Sequence, residues 1–194
     1  MSKVNIGYYF AAFDPINQAN LEQAIKFRDD YHLKTVFLIP ERSSTVNQYT
    51  HIVHRMKLID QAIKIHHSLK SYEASQKILN IQKIINSINY HNSANLIMLN
   101  EAVVFEHLHQ QFFLKYLSKN HFVVNASSLA QLNQLKIIFH ELKIKNYTIW
   151  LNENLNQHFS FNQVLKNQSV RGLLNSSKRY IIDNWLYLKP QDFV

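Results

Sequence analysis

Short apolar runs alternate with amphipathic stretches along this chain. Lys3–Phe10 (KVNIGYYF), Thr35–Ile39 (TVFLI), Asn95–Leu99 (NLIML), Phe122–Asn125 and Tyr147–Leu151 are rich in aromatic and β-branched residues and read as strands. Helical spacing lies between them. Asn20 can cap a helix carrying Leu21, Ala24, Ile25 and Arg28. Thr50–Ile65 places Val53, Met56, Ile59 and Ile63 on one face, and Glu73–Ile88 does the same with Ile78, Ile81, Ile85 and Ile88. Glu101–Leu117 reads as a single helix, and Ser128 caps another with Leu129, Leu132, Leu135, Ile138 and Leu142 as its stripe. Two short helices close the chain near Trp185. Buried strands joined by helices predict an α/β fold with a doubly wound parallel sheet. With 194 residues, one domain over 1–194 is expected, with a helical tail from about 160 to 194. Ligands of such sheets sit beyond the carboxyl ends of the strands, where the strand order reverses. The loops to inspect are Ala11–Asn20, Pro40–Tyr49, Leu99–Glu101, Asn125–Ser128 and Asn152–Ser160.

Composition narrows the partners. No apolar run approaches the ~20 residues that span a bilayer, so no membrane partner is expected. MSKVNIGYYF runs directly into a strand with no signal-peptide pattern, and cysteine is absent. Both point to a cytoplasmic protein. A formal charge of +8 favours anionic partners. The charge is not clustered as in a nucleic-acid-binding tail, which weighs against nucleic acid, although a basic nucleic-acid-binding module stands as an alternative. Homo-oligomer formation is left open. The eleven histidines form pairs such as His51/His54, His66-His67 and His107-x-His109, the last beside Glu106. None has the spacing of a zinc site, so no metal site is predicted. Only Gly7 and Gly172 are glycine, which excludes a P-loop or a Gly-x-Gly-x-x-Gly turn.

Ile6–Asn20 (IGYYFAAFDPINQAN) combines a strand, a sharp loop and a helix start. Its Phe13-Asp14-Pro15-Ile16 resembles the opening of the nucleotidylyltransferases, above all the nicotinate-mononucleotide adenylyltransferases. Those enzymes run Gly-Gly-Thr-Phe-Asp-Pro-Ile and then His-x-Gly-His. Phe37-Leu38-Ile39-Pro40, His54-Arg55-Met56-Lys57-Leu58, Arg171-Gly172-Leu173-Leu174 and Tyr180-Ile181-Ile182…Leu186-Tyr187 extend the resemblance nearly end to end. It implies a Rossmann-like nucleotidylyltransferase fold. It also implies transfer of an adenylyl group from ATP, as its Mg²⁺ complex, to nicotinate mononucleotide in NAD biosynthesis. No tightly bound cofactor is implied.

The resemblance also assigns site residues. Asn17 and Asn20 stand at the two catalytic histidine positions. Ala11, Ala12, Phe13, Glu101, Ser160 and Lys166 fall at nucleotide-binding positions, and Ser71 and Tyr72 at substrate-binding ones. Several positions depart from the pattern. Val46-Asn47-Gln48 replaces Pro-His-Lys, Glu73 replaces a Thr, Leu99-Asn100-Glu101 replaces Gly-x-Asp, and no arginine occurs between Arg55 and Arg171. Asparagine donates a neutral hydrogen bond but carries no positive charge. The expectation is therefore an adenylyltransferase with lost or altered activity; a non-catalytic nucleotide- or protein-binding relative is the alternative.

Overall fold

The computed structural model describes residues 5–41, 49–72, 81, 85, 95–154, 164 and 172–187. Six strands form one all-parallel sheet: β1 (Ile6–Ala11), β2 (Thr35–Pro40), β3 (Leu69–Ser71), β4 (Asn95–Asn100), β5 (Phe122–Ala126) and β6 (Tyr147–Leu151). Their order is β3-β2-β1-β4-β5-β6. The order reverses between β1 and β4, so the crevice beyond Ala11 and Asn100 is the switch point. Pairing brings Ala11 level with Pro40 and Asn100 level with Asn125, so the carboxyl ends share one edge.

Alternation along the strands divides the core in two. Tyr9, Ala11, Leu38, Met98 and Val123 face one side with Leu21, Ala24, Phe27, Leu58, Ile59 and Ile181. That side carries α1 (Gln18–Asp30), α2 (Ile52–Ile63) and α6 (Asn175–Asp183). Phe10, Ile39, Ile97, Leu99 and Val124 face the other side with Val103, Val104, Phe113, Leu117, Leu135 and Phe139. Those helical residues belong to α3 (Glu101–His107), α4 (Gln111–Lys119) and α5 (Leu129–Glu141). Each fully buried large side chain contributes roughly 1.5–3 kcal/mol.

Gly7 lies on the α1 side of β1. A Cβ there would stand 2.6 Å from Leu33 Cδ1 and 2.7 Å from Phe27 Cε1. Glycine lets α1 and the loop after it close onto the strand. Gly7→Ala is expected to cost about 1–3 kcal/mol by overpacking, read as a lower denaturation midpoint at unchanged m-value.

The fold is the predicted one, with local corrections. β3 was not expected; at three residues it is too short for a hydrophobic pattern to mark it. The predicted Glu101–Leu117 helix is two helices, and Gln110 carries extended backbone between them. On α2, Arg55, Leu58, Ile59, Ala62 and Ile63 are buried, whereas Val53 is 46% exposed. On α5 the buried residues are Leu135 and Phe139, and Leu129 is 60% exposed. Both faces turn from the predicted stripe: α2 because a buried guanidinium takes part of its inner face, α5 because Phe139 packs on Phe122 and Tyr147. Of Glu73–Ile88, Ile81 and Ile85 are described, helical and buried. No helix among the described residues is long and apolar enough to cross a membrane.

Candidate active site

The Ala11–Asn17 loop leaves β1 at the switch point. Phe13 adopts φ 47°, in the left-handed region that is unfavourable for a residue with a Cβ. Its ring is 2% exposed and packs edge-on against Tyr9, with centroids 5.1 Å apart. That packing holds a conformation costing on the order of 1–2 kcal/mol. The positive φ thus falls on Phe13, not on Ala11 or Ala12. Ala11 is fully buried, and the Ala12 carbonyl accepts a 2.6 Å hydrogen bond from an Arg55 guanidinium nitrogen.

Arg55 organises this loop from α2. It is 1% exposed. Its Nε donates to the Thr50 carbonyl at 2.8 Å, and its guanidinium lies 5.2 Å from the Tyr49 ring centroid. Asp14 supplies the nearby negative charge: burial lowers the Arg55 pKa, and Asp14 is the largest influence holding it up. Asp14 in turn accepts from the Thr50 N–H at 2.8 Å and from the Tyr187 hydroxyl at 2.8 Å. The C-terminal segment docks alongside. The Gln18 N–H donates to the Gly172 carbonyl at 2.8 Å, and Leu173 bridges to Asn17. Gly172 takes φ 84°, open to glycine without strain.

Asn17 is the N-cap of α1. Its Oδ1 accepts from the Asn20 N–H at 2.8 Å, and Asn20 Oδ1 accepts from the Asn17 N–H at 3.1 Å. This is a capping box, with each side chain satisfying an otherwise orphaned backbone donor. Asn17 is 2% exposed and Asn20 is 4% exposed. The side-chain oxygens at the two expected catalytic positions are thus engaged in holding the start of the helix.

Beside them the chain's own buried polar groups bond to one another. The Tyr9 hydroxyl donates to Asn100 Oδ1 at 3.0 Å, and Asn125 Nδ2 approaches the same oxygen at 3.4 Å. Burial drives the Tyr9 pKa far above the ordinary phenol range, so the group stays a neutral donor. Glu101 is 2% exposed and accepts from Ser127 Oγ at 2.8 Å. The sequence placed Asn100 and Asn125 in the strand-end loops to inspect, but gave Tyr9 no place in the site. The available signal was their common position near the ends of three neighbouring strands.

Ser71 and Tyr72 end β3, two strands from the switch point on the β2 side. Ser71 Oγ donates to Asp60 Oδ1 at 2.5 Å. The Tyr72 ring packs edge-on against Tyr8 and Phe37, and its N–H donates to the Leu38 carbonyl at 3.1 Å. His54 meets the Tyr180 hydroxyl at 2.9 Å, and His51 Nδ1 caps α2. Ser160 and Lys166 lie outside the described residues, as do Val46–Gln48, Glu73 and Arg171. Among the described residues of the strand-end loops (11–17, 41, 49–51, 71–72, 126–128 and 152–154) none is lysine or arginine. Among the described residues, Arg55 and the N-terminus of α1 bring positive charge near the crevice, and Arg55 is committed to backbone carbonyls.

Beyond β2, Glu41 donates its N–H to the Ala11 carbonyl at 2.9 Å. Its carboxylate meets Glu106 and His107 from the end of α3. Burial first, and the Glu106 carboxylate next, push the Glu41 pKa up to about 8. Burial likewise pulls the His107 pKa down.

No protein-family model matches the sequence, and no curated protein matches it either. Solved structures do. The Plasmodium falciparum nicotinic acid mononucleotide adenylyltransferase complexed with NaAD aligns with a TM-score of 0.65 at 16% identity, covering 94% of this chain and 97% of that one. The same enzyme complexed with APC gives 0.62 at 16% identity, covering 94% and 96%. A putative nicotinate-nucleotide adenylyltransferase from Vibrio parahaemolyticus gives 0.51 at 15% identity, covering 94% of each chain. The six-stranded parallel sheet with its reversal beyond β1 and β4 therefore has the fold of the nicotinic acid mononucleotide adenylyltransferases.

Proposed function

We propose that this chain is a nucleotidyltransferase-like protein that binds an adenine nucleotide at the switch point and transfers adenylyl groups slowly, if at all. The reciprocal capping of Asn17 and Asn20 carries this reading. In adenylyl transfer, an acceptor phosphate oxygen attacks the α-phosphorus of ATP, supplied with Mg²⁺, and pyrophosphate leaves. Charge that builds on the phosphate oxygens must be met by preorganised donors. Two buried neutral amides tied to the backbone supply no proton and no cation. Each charge-assisted bond missing from a dry site costs about 2–4 kcal/mol of transition-state stabilisation, or ~30–1000-fold in rate. Binding is supported by features that do not need those groups. They are the shared fold, the N-terminus of α1 aimed at the crevice, and neighbours solved with NaAD and with the ATP analogue APC.

Thermal-shift titration with ATP–Mg²⁺, nicotinate mononucleotide and the product dinucleotide tests the reading. A ligand at a hundred times its Kd stabilises by about 2.7 kcal/mol, which moves Tm by several degrees in a domain of this size. At least one of the three should do so, while chromatography shows dinucleotide formation at well below one turnover per second. No shift with any of them would remove the binding claim. Turnover at ordinary enzyme rates, about 1–10³ per second, would remove the claim of slow transfer.

A further inference from the structure

The Glu41, Glu106 and His107 side chains take no part in capping α1; Glu41 Oε2 accepts from the Tyr49 hydroxyl at 3.5 Å, which leaves its Oε1 for another partner. One potential ligand atom from each residue lies within 4.8 Å of the others. Glu41 Oε1 is buried without a hydrogen bond, and so are Glu106 Oε2 and His107 Nδ1. The Glu41 side chain is only 9% exposed and the His107 side chain 16%. His107 Nε2 stands 3.8 Å from Glu41 Oε1. That is too long for a hydrogen bond. It is close to the ~3.4 Å separating two ligands on tetrahedral bonds of ~2.1 Å. Two acidic side chains buried side by side disfavour each other's ionised form. A cation between Glu41 Oε1, Glu106 and His107 Nε2 would give the buried Glu41 oxygen a partner and supply the neutralising charge.

From this geometry we infer that Glu41, Glu106 and His107 form a binding site for one divalent first-row transition cation of the Zn²⁺ or Mn²⁺ class. Two carboxylate oxygens and one imidazole nitrogen suit such ions, whereas Mg²⁺ and Ca²⁺ prefer all-oxygen sets. Three protein ligands leave a coordination position for water. The site ties the residue after β2 to the end of α3. The spacing of Glu106 and His107 alone gave no zinc pattern, because the third ligand is 65 positions upstream. The inference is independent of the nucleotide reading.

Calorimetric titration of chelator-treated protein with Zn²⁺ and with Mn²⁺ tests it. One equivalent of at least one ion should bind and raise Tm. Co²⁺ should give visible absorption bands of a low-symmetry site with nitrogen and oxygen ligands. Glu41→Gln, which keeps shape and removes the carboxylate repulsion, should fold and weaken metal binding at least tenfold. His107→Ala should do the same, and exposed His109→Ala should leave binding intact. Failure of chelator-treated wild-type protein to take up any of these ions would overturn the assignment. So would binding that survives both Glu41→Gln and His107→Ala, because that metal would sit on surface histidines.

Discussion

Replacing Arg55 with alanine is expected to destabilise the protein by about 3–5 kcal/mol, the scale for losing one partner of a buried charged network. The side chain is almost wholly enclosed and serves two loops at once, through the Ala12 carbonyl at 2.6 Å and the Thr50 carbonyl at 2.8 Å. Its removal leaves two part-buried acceptors short of a donor, each costing up to about 1–3 kcal/mol. It also opens a cavity under Tyr49 and leaves Asp14 without its neighbouring cation. Arg55→Lys should recover little, because one ammonium cannot reproduce a planar fork that reaches both carbonyls. Urea denaturation read by circular dichroism measures both variants. A loss below about 1 kcal/mol for Arg55→Ala would show that the loops hold without the guanidinium. Asp14→Asn, which keeps the shape but removes the charge, should fall between wild type and Arg55→Ala.

This network explains why two distant stretches of sequence carried the same resemblance. The stretch from Phe13 to Gln18 and the segment from Gly172 to Tyr187 are in contact, through Tyr187 on Asp14, Gly172 on Gln18 and Leu173 on Asn17. A loop that includes a strained Phe13 and a cis Asp14–Pro15 bond is held from outside by α2 and by the tail. Its motif was legible because it is local, and the fold because strand and helix periodicities alternate cleanly. Arg55 was not legible as a core residue. Arginine on an amphipathic helix reads as polar surface, and only the tertiary position of the Ala12 and Thr50 carbonyls turns it inward. The same limit hid Tyr9 in the network with Asn100 and Asn125: a tyrosine in an apolar strand is indistinguishable from core until its hydroxyl partners are known. Glu41 escaped notice because its partners come from the far side of β1 and β4, brought near only by the strand order.

Converting Asn17 and Asn20 together to histidine is expected to raise dinucleotide formation less than tenfold and to lower stability by about 1–2 kcal/mol. In a competent site, two charge-assisted bonds of about 2–4 kcal/mol each would restore on the order of 10³-fold or more. Here the two positions are 2% and 4% exposed, in a space shaped for amides. A neutral imidazole caps only if Nδ1 is its unprotonated nitrogen, and a protonated one has no acceptor, so the two bonds of the capping box at the start of α1 are weakened or lost. The larger rings must also compete with the Tyr9–Asn100–Asn125 network for the same volume. Activity and unfolding are measured on the same double variant, so the two effects can be separated. Poor turnover in a variant that remains folded and still shifts with nucleotide would locate the defect in the whole crevice. Recovery of a thousandfold or more would show instead that the surrounding site is competent and that the two asparagines alone had silenced it.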